Sequence, residues 1–144
     1  MNRARFSIYL ALVVALSASL AVARTPRPVT SAFFETKSAG FDQNYPDPAV
    51  AYYLNLAVSD NLARPAYLQV EYENPDSPNN PNDPDIQYLE VKAGQTTLSL
   101  KSRFFPRAQN RKSYRVVIEV FSDKNMKTKI GEHVQLVEFV TPRI

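Results

Sequence analysis

Apolar and polar side chains alternate at period two in segment after segment between residues 49 and 141, and this pattern constrains the fold more than any other feature. In 49–59 (AVAYYLNLAVS), Val50, Tyr52, Leu54, Leu56 and Val58 share one face, and Ala51, Tyr53, Asn55 and Ala57 share the other. So apolar a run also suits a helix, but its aromatic and β-branched residues and the prolines on both flanks favour a strand. After a turn at 60–65, residues 66–73 (AYLQVEYE) set Ala66, Leu68, Val70 and Tyr72 against Gln69, Glu71 and Glu73, and the two segments are expected to form a β-hairpin. Short strands are expected at 86–93 and 96–102 around a Gly94-Gln95 turn. Residues 113–123 alternate strongly, with Tyr114, Val116, Ile118 and Val120 on one side. The last strand is expected at 129–141, where Gly131 tolerates a bulge. Residues 31–38 read as an edge strand and 40–48 (GFDQNYPDP) as a loop. About seven strands, with turn signals roughly every 8–12 residues, predict an all-β chain folded as a single antiparallel β-sandwich.

The first 23 residues stand apart. Arg3 and Arg5 precede an apolar run from Phe6 to about Leu16, and small residues lead to Ala21-Val22-Ala23. A basic end, an apolar middle and small residues at the cut are the layout of an export signal, with cleavage expected after Ala23. A spanning helix needs roughly 20 consecutive apolar residues. Ser17 and Ser19 interrupt this run and Arg24, Pro26 and Pro28 follow it, so no membrane span is expected after cleavage. Residues 24–144, the expected single domain, hold 15 Lys and Arg against 14 Asp and Glu, a net charge near +1. The chain has no cysteine, so packing alone must hold an exported domain that is large enough to bury a core.

Within that domain, Thr96, Leu98 and Leu100 alternate ahead of Tyr114-X-Val116-X-Ile118-X-Val120. This resembles the corner between the fifth and sixth strands of immunoglobulin-like and fibronectin type III sandwiches. The resemblance implies that Tyr114 ties the corner by a hydrogen bond from its hydroxyl to the upstream backbone. It covers about a fifth of the domain, lacks the tryptophan and cysteine pair of antibody domains, and bears on fold and not on function.

Charge is divided along the chain. Residues 24–91 carry four basic and ten acidic side chains, and 92–144 carry eleven basic and four acidic. The basic concentration is Lys101, Arg103, Arg107, Arg111, Lys112 and Arg115, with Phe104 and Phe105 inside it. These eight residues are the candidate binding patch, suited to an anionic surface or an acidic protein. The alternative is a solvated loop whose cations pair with the acidic half of the same domain, with the Phe pair plugging one end of the core. A nucleic-acid partner is not expected from a near-neutral exported domain. The segment 74–85 (NPDSPNNPNDPD) has a proline every third residue from Pro75 to Pro84 and reads as a semi-rigid spacer. Its Asp76, Asp83 and Asp85 lack the ligand spacing of a calcium loop.

No nucleophile motif, metal-ligand spacing or glycine-rich loop is present, and no cofactor is expected. His133, the one histidine, sits on an alternating strand and reads as structural. Glu71 and Glu73 lie roughly 7 Å apart along a strand, a separation that can serve glycoside hydrolysis, but any outward strand face produces such pairs. The expectation is therefore a secreted, non-enzymatic module that acts by binding a macromolecule. A structural or adhesion component of a cell surface, and a small hydrolase or enzyme inhibitor, are the alternatives.

Overall fold

The computed structural model describes residues 32–44, 46–78, 80 and 83–142; the expected export signal at 1–23 lies outside the described residues. Seven strands follow in order: β1 (Phe34–Gln43), β2 (Val50–Val58), β3 (Ala66–Tyr72), β4 (Asp85–Val91), β5 (Thr97–Lys101), β6 (Lys112–Phe121) and β7 (Lys129–Phe139). They form two antiparallel sheets, β1-β2-β5 and β4-β3-β6-β7, packed face to face, with no helix among the described residues. The expected all-β sandwich is therefore the fold. Alternation builds its interior: Val50, Tyr52, Leu54 and Leu56 of β2 face Leu68, Val70 and Tyr72 of β3 and Val116, Ile118 and Val120 of β6, all buried.

Two expectations are corrected. β2 and β3 do not form a hairpin. β2 pairs with β1 and β5, whereas β3 pairs with β4 and β6. The turn at 59–65 carries the chain from one sheet to the other, and the apolar faces of β2 and β3 meet across the core. β4 and β5 are likewise split between the sheets. The first strand is also longer than expected and takes in Gly40–Gln43. A bulge between Thr36 and Ser38 inserts Lys37 and reverses the alternation. Phe34 and Thr36 lie opposite Val58 and Leu56, and beyond the bulge Ala39 and Phe41 lie opposite Leu54 and Tyr52. A reading at constant phase loses the strand at that point. Phe41 is partly buried and packs against the core, its ring 4.3 Å from that of Tyr52 and 5.6 Å from that of Phe139. At β7 the register shifts where Ile130 precedes Gly131, and the Phe33 ring lies over the glycine where any Cβ would collide with it.

Buried tyrosines fasten the end of the sandwich that carries the long connections. The Tyr52 hydroxyl donates to the Glu73 carbonyl at 2.6 Å, and that of Tyr114 accepts from the Gln109 amide at 2.9 Å. The Tyr72 hydroxyl donates to Gln87 Oε1, while Gln87 Nε2 donates to the Lys101 carbonyl at 2.7 Å and so ties β4 to β5. Burial raises the Tyr52 and Tyr72 phenols far above their ordinary value, so both remain protonated donors.

On the opposite flank, side chains close the seam between β1 and β7. Thr36 donates to Gln135 Oε1 at 2.8 Å, and its oxygen lies 3.3 Å from His133 Nε2. With the hydroxyl proton on Gln135, Nε2 is the donor to Thr36. His133 is buried, edge-on to Phe34, and burial holds its pKa below the usual histidine value. The unfolded chain takes up this proton near pH 6.5, the folded chain only at lower pH. Stability is therefore complete above about pH 6.5 and falls as the pH drops from there towards the folded value. Urea midpoints followed between about pH 7 and pH 5 should decline less in His133→Gln than in the native protein. Identical slopes would show that the ring does not titrate with folding.

Candidate interaction surface

Part of the basic connection between β5 and β6 turns into the domain. Ser102 and Tyr52 exchange hydrogen bonds, and Phe105 and Val50 exchange both backbone bonds at 2.7 and 2.9 Å, so 102–105 runs against the start of β2. This drives Phe105 into the interior, 0% exposed, edge-on to Tyr52 and capped by the Arg103 guanidinium 4.3 Å from its ring. Of the two phenylalanines named as candidate binding residues, Phe105 belongs to the core and Phe104 is 48% exposed. Three of the six cations pair within the molecule: Lys101 with Asp42 at 3.3 Å, Arg103 with Asp83 at 3.1 Å and Arg107 with Asp76 at 2.6 Å. Lys112 lies 5.7 Å from the Tyr114 ring. Arg111 sits at a turn with φ of 64°, its amide donating to the Phe139 carbonyl. Arg115 lies on the outer side of β6, opposite Leu136.

The described residues at both ends of the 74–85 segment are tied to the domain. Asn74 is buried, donates to Asp83 at 2.7 Å and accepts from the Asp76 amide. Asp76 and Asp83 hold Arg107 and Arg103, and Asp85 accepts from the Arg103 amide at 2.8 Å. The acids of this loop thus pair with the basic connection. Among the described residues no group of three His, Cys, Asp or Glu is placed to hold a metal ion.

The two outer sheet faces differ in kind. On β1-β2-β5 the polar side chains satisfy one another: Asn55 donates to Ser38 at 2.8 Å and accepts from Ser99 at 2.6 Å, Lys101 pairs with Asp42, and the Tyr53 ring covers Gly40. On β4-β3-β6-β7 the register assembles rows from all four strands. Ile86, Glu71, Val117 and Val134 form one; Tyr88, Gln69, Glu119 and Glu132 form the next. Ile86, Tyr88 and Leu136 are exposed there at 43%, 65% and 37%. Six of the chain's seven glutamates (71, 73, 90, 119, 132 and 138) fall on this face, with Arg115 and Lys129 the cations among them. Glu119 and Glu132 stand directly opposite, an unfavourable like-charge pair, and Lys129 bridges them at 3.6 and 3.4 Å. The sequence placed Glu71 and Glu119 on the outward sides of their strands but gave no sign that the glutamates of four strands share one face. Glu73 is committed at one oxygen, which accepts from the Arg115 amide at 2.8 Å, and Glu71 stands on an open sheet beside Ile86 and Val117.

Comparison with known protein families, with curated proteins and with solved structures yields no significant match.

Proposed function

We propose that the protein is a secreted, non-enzymatic binding module, residues 24–144 forming an immunoglobulin/fibronectin type III-like sandwich after loss of the 1–23 signal. The strand order and the buried Tyr114 hydroxyl, which accepts from the backbone five residues upstream, support that fold type. The observation that carries the functional reading is the outer face of the four-stranded sheet. There Ile86, Tyr88 and Leu136 stand exposed among carboxylates, whereas the other sheet exposes no large apolar side chain among the described residues. Apolar anchors set in a charged surround are the composition of a recognition surface. The basic connection supports a second surface, for an anionic surface or acidic protein, through exposed Phe104 with Lys101 Nζ 5.8 Å from its ring.

Affinity capture from the extracellular fraction of the native host tests both surfaces. The baits are the native chain, Ile86→Ser/Tyr88→Ser/Leu136→Ser, and a charge reversal at Arg107, Arg111 and Lys112. The expected result is a partner retained by the native chain and lost from the triple-serine variant; a partner lost from the reversal variant alone would belong to the basic connection. Equal recovery on all three baits would overturn the assignment. Export is tested by the amino terminus of the protein in the medium, expected at Arg24.

A further inference from the structure

We propose that β4 is a docking edge, to which an extended segment of a partner polypeptide with basic side chains at alternate positions adds as a fifth strand of the four-stranded sheet. The inference rests on the binding-module reading and names the occupant of that surface.

A sheet edge presents unpaired N–H and C=O groups, and folded proteins guard it with bulges, lysines, prolines, short length or a cover. Three of the four edge strands here are guarded. β1 is bulged at Lys37 and leans on β7 through Thr36; β7 is bulged beside Gly131 and covered by that same contact. β5 is five residues long and ends in Lys101, whose carbonyl already accepts from Gln87. β4 is tied at its start by side chains, Gln87 donating to the Lys101 carbonyl and Asp85 accepting from the Arg103 amide, but from Tyr88 to Val91 it carries no such contact and no bulge. It pairs with β3 through all seven residues without a register shift and contains neither lysine nor proline. Among the described residues no backbone hydrogen bond joins it to anything but β3. Alternate residues of an antiparallel strand turn both backbone groups away from the neighbour, so β4 offers an open row of donors and acceptors.

The side chains beside that row select the occupant. An added strand places every second side chain over the outer face, next to Ile86, Tyr88 and Glu90 and towards Glu71 on the following strand. Tyr88, the most exposed large apolar side chain of the described residues, gives such a strand an aromatic surface to pack on. The surplus of carboxylates makes lysine or arginine the favoured outward residue. The same charge disfavours a second copy of this chain, because β4 paired with β4 would bring two glutamate-rich faces side by side. Main-chain pairing would supply affinity and the alternate basic residues specificity.

The test is an NMR titration of the purified protein with two capped heptapeptides of alternating lysine and valine, one unmodified and one fully N-methylated. The unmodified peptide is expected to slow amide exchange in β4 and to leave the edges of β1, β5 and β7 unchanged. The N-methylated peptide keeps its charge but loses its donors, and should bind at least about tenfold more weakly. Glu71→Gln/Glu90→Gln should weaken the unmodified peptide and flatten its salt dependence. Tyr88→Lys, which adds a guard to the edge, should abolish binding with an unchanged melting temperature.

Equal binding of the two peptides, protection at another edge, or no binding at millimolar peptide would overturn the proposal. Perturbation of Val117 and Leu136 by both peptides with β4 untouched would overturn strand addition but leave the binding-module reading standing. That reading fails instead if capture ignores the outer-face variant. Dimerisation that protects β4 without peptide would assign the edge to a second copy and overturn the partner named here.

Discussion

Phe105→Ala is expected to cost about 3–5 kcal/mol of folding stability, the range for emptying a buried aromatic site. The ring is wholly inside, in contact with Tyr52, and its backbone is bonded to Val50 in both directions. The alanine variant keeps those backbone bonds, so the loss reports the cavity and not an unravelled connection. Phe104→Ala, one residue away and half exposed, should change stability by no more than about 0.5 kcal/mol. Guanidinium unfolding of the two variants checks both values. A loss below about 1 kcal/mol for Phe105→Ala would mean that the ring is not part of the core. Total stability for a domain of this size is only about 5–15 kcal/mol, so the larger change takes a substantial share of it.

A second large effect is expected at Ile118. It is 0% exposed, between Val70 on β3 and His133 on β7. Ile118→Asn removes buried aliphatic surface and puts a polar amide into the core, at a combined cost of about 4–6 kcal/mol. Val117→Asn, on the same strand but facing out between Glu71 and Val134, should cost no more than about 1 kcal/mol. The contrast between adjacent residues is the signature of period two. Chemical denaturation with matched m-values checks it, and equal losses at the two positions would contradict the register of β6.

Most of the strands were legible in the sequence because each buried face is written locally, as in Val50 to Val58 or Tyr114 to Val120. β1 was legible only up to its bulge, since one inserted residue, Lys37, exchanges the inward and outward sets while the composition of the strand stays the same. The candidate site was less legible. Runs of basic residues are visible in a sequence, but whether Lys101, Arg103 and Arg107 meet solvent or aspartates depends on where 42, 76 and 83 return in space. The pairings found are mostly exposed and each adds little stability, yet they occupy the cations that the sequence offered to a partner. The glutamate face is the converse case. Its members are spread over about 70 positions, from Glu71 to Glu138, and only the β4-β3-β6-β7 order gathers them.

The sequence by itself determined that the domain is all-β, where six of the seven described strands run, which side of β2, β3, β5 and β6 is apolar, and that no disulfide holds them. Those properties follow from backbone sterics and side-chain alternation, which act over a few residues. The tertiary structure alone decided that β2 and β3 part into different sheets, that Phe105 turns inward while Phe104 does not, and that one outer face collects the glutamates. A strand with one apolar face can bury it against a neighbour in its own sheet order or across the core. Only the simultaneous packing of all seven strands selects between these arrangements.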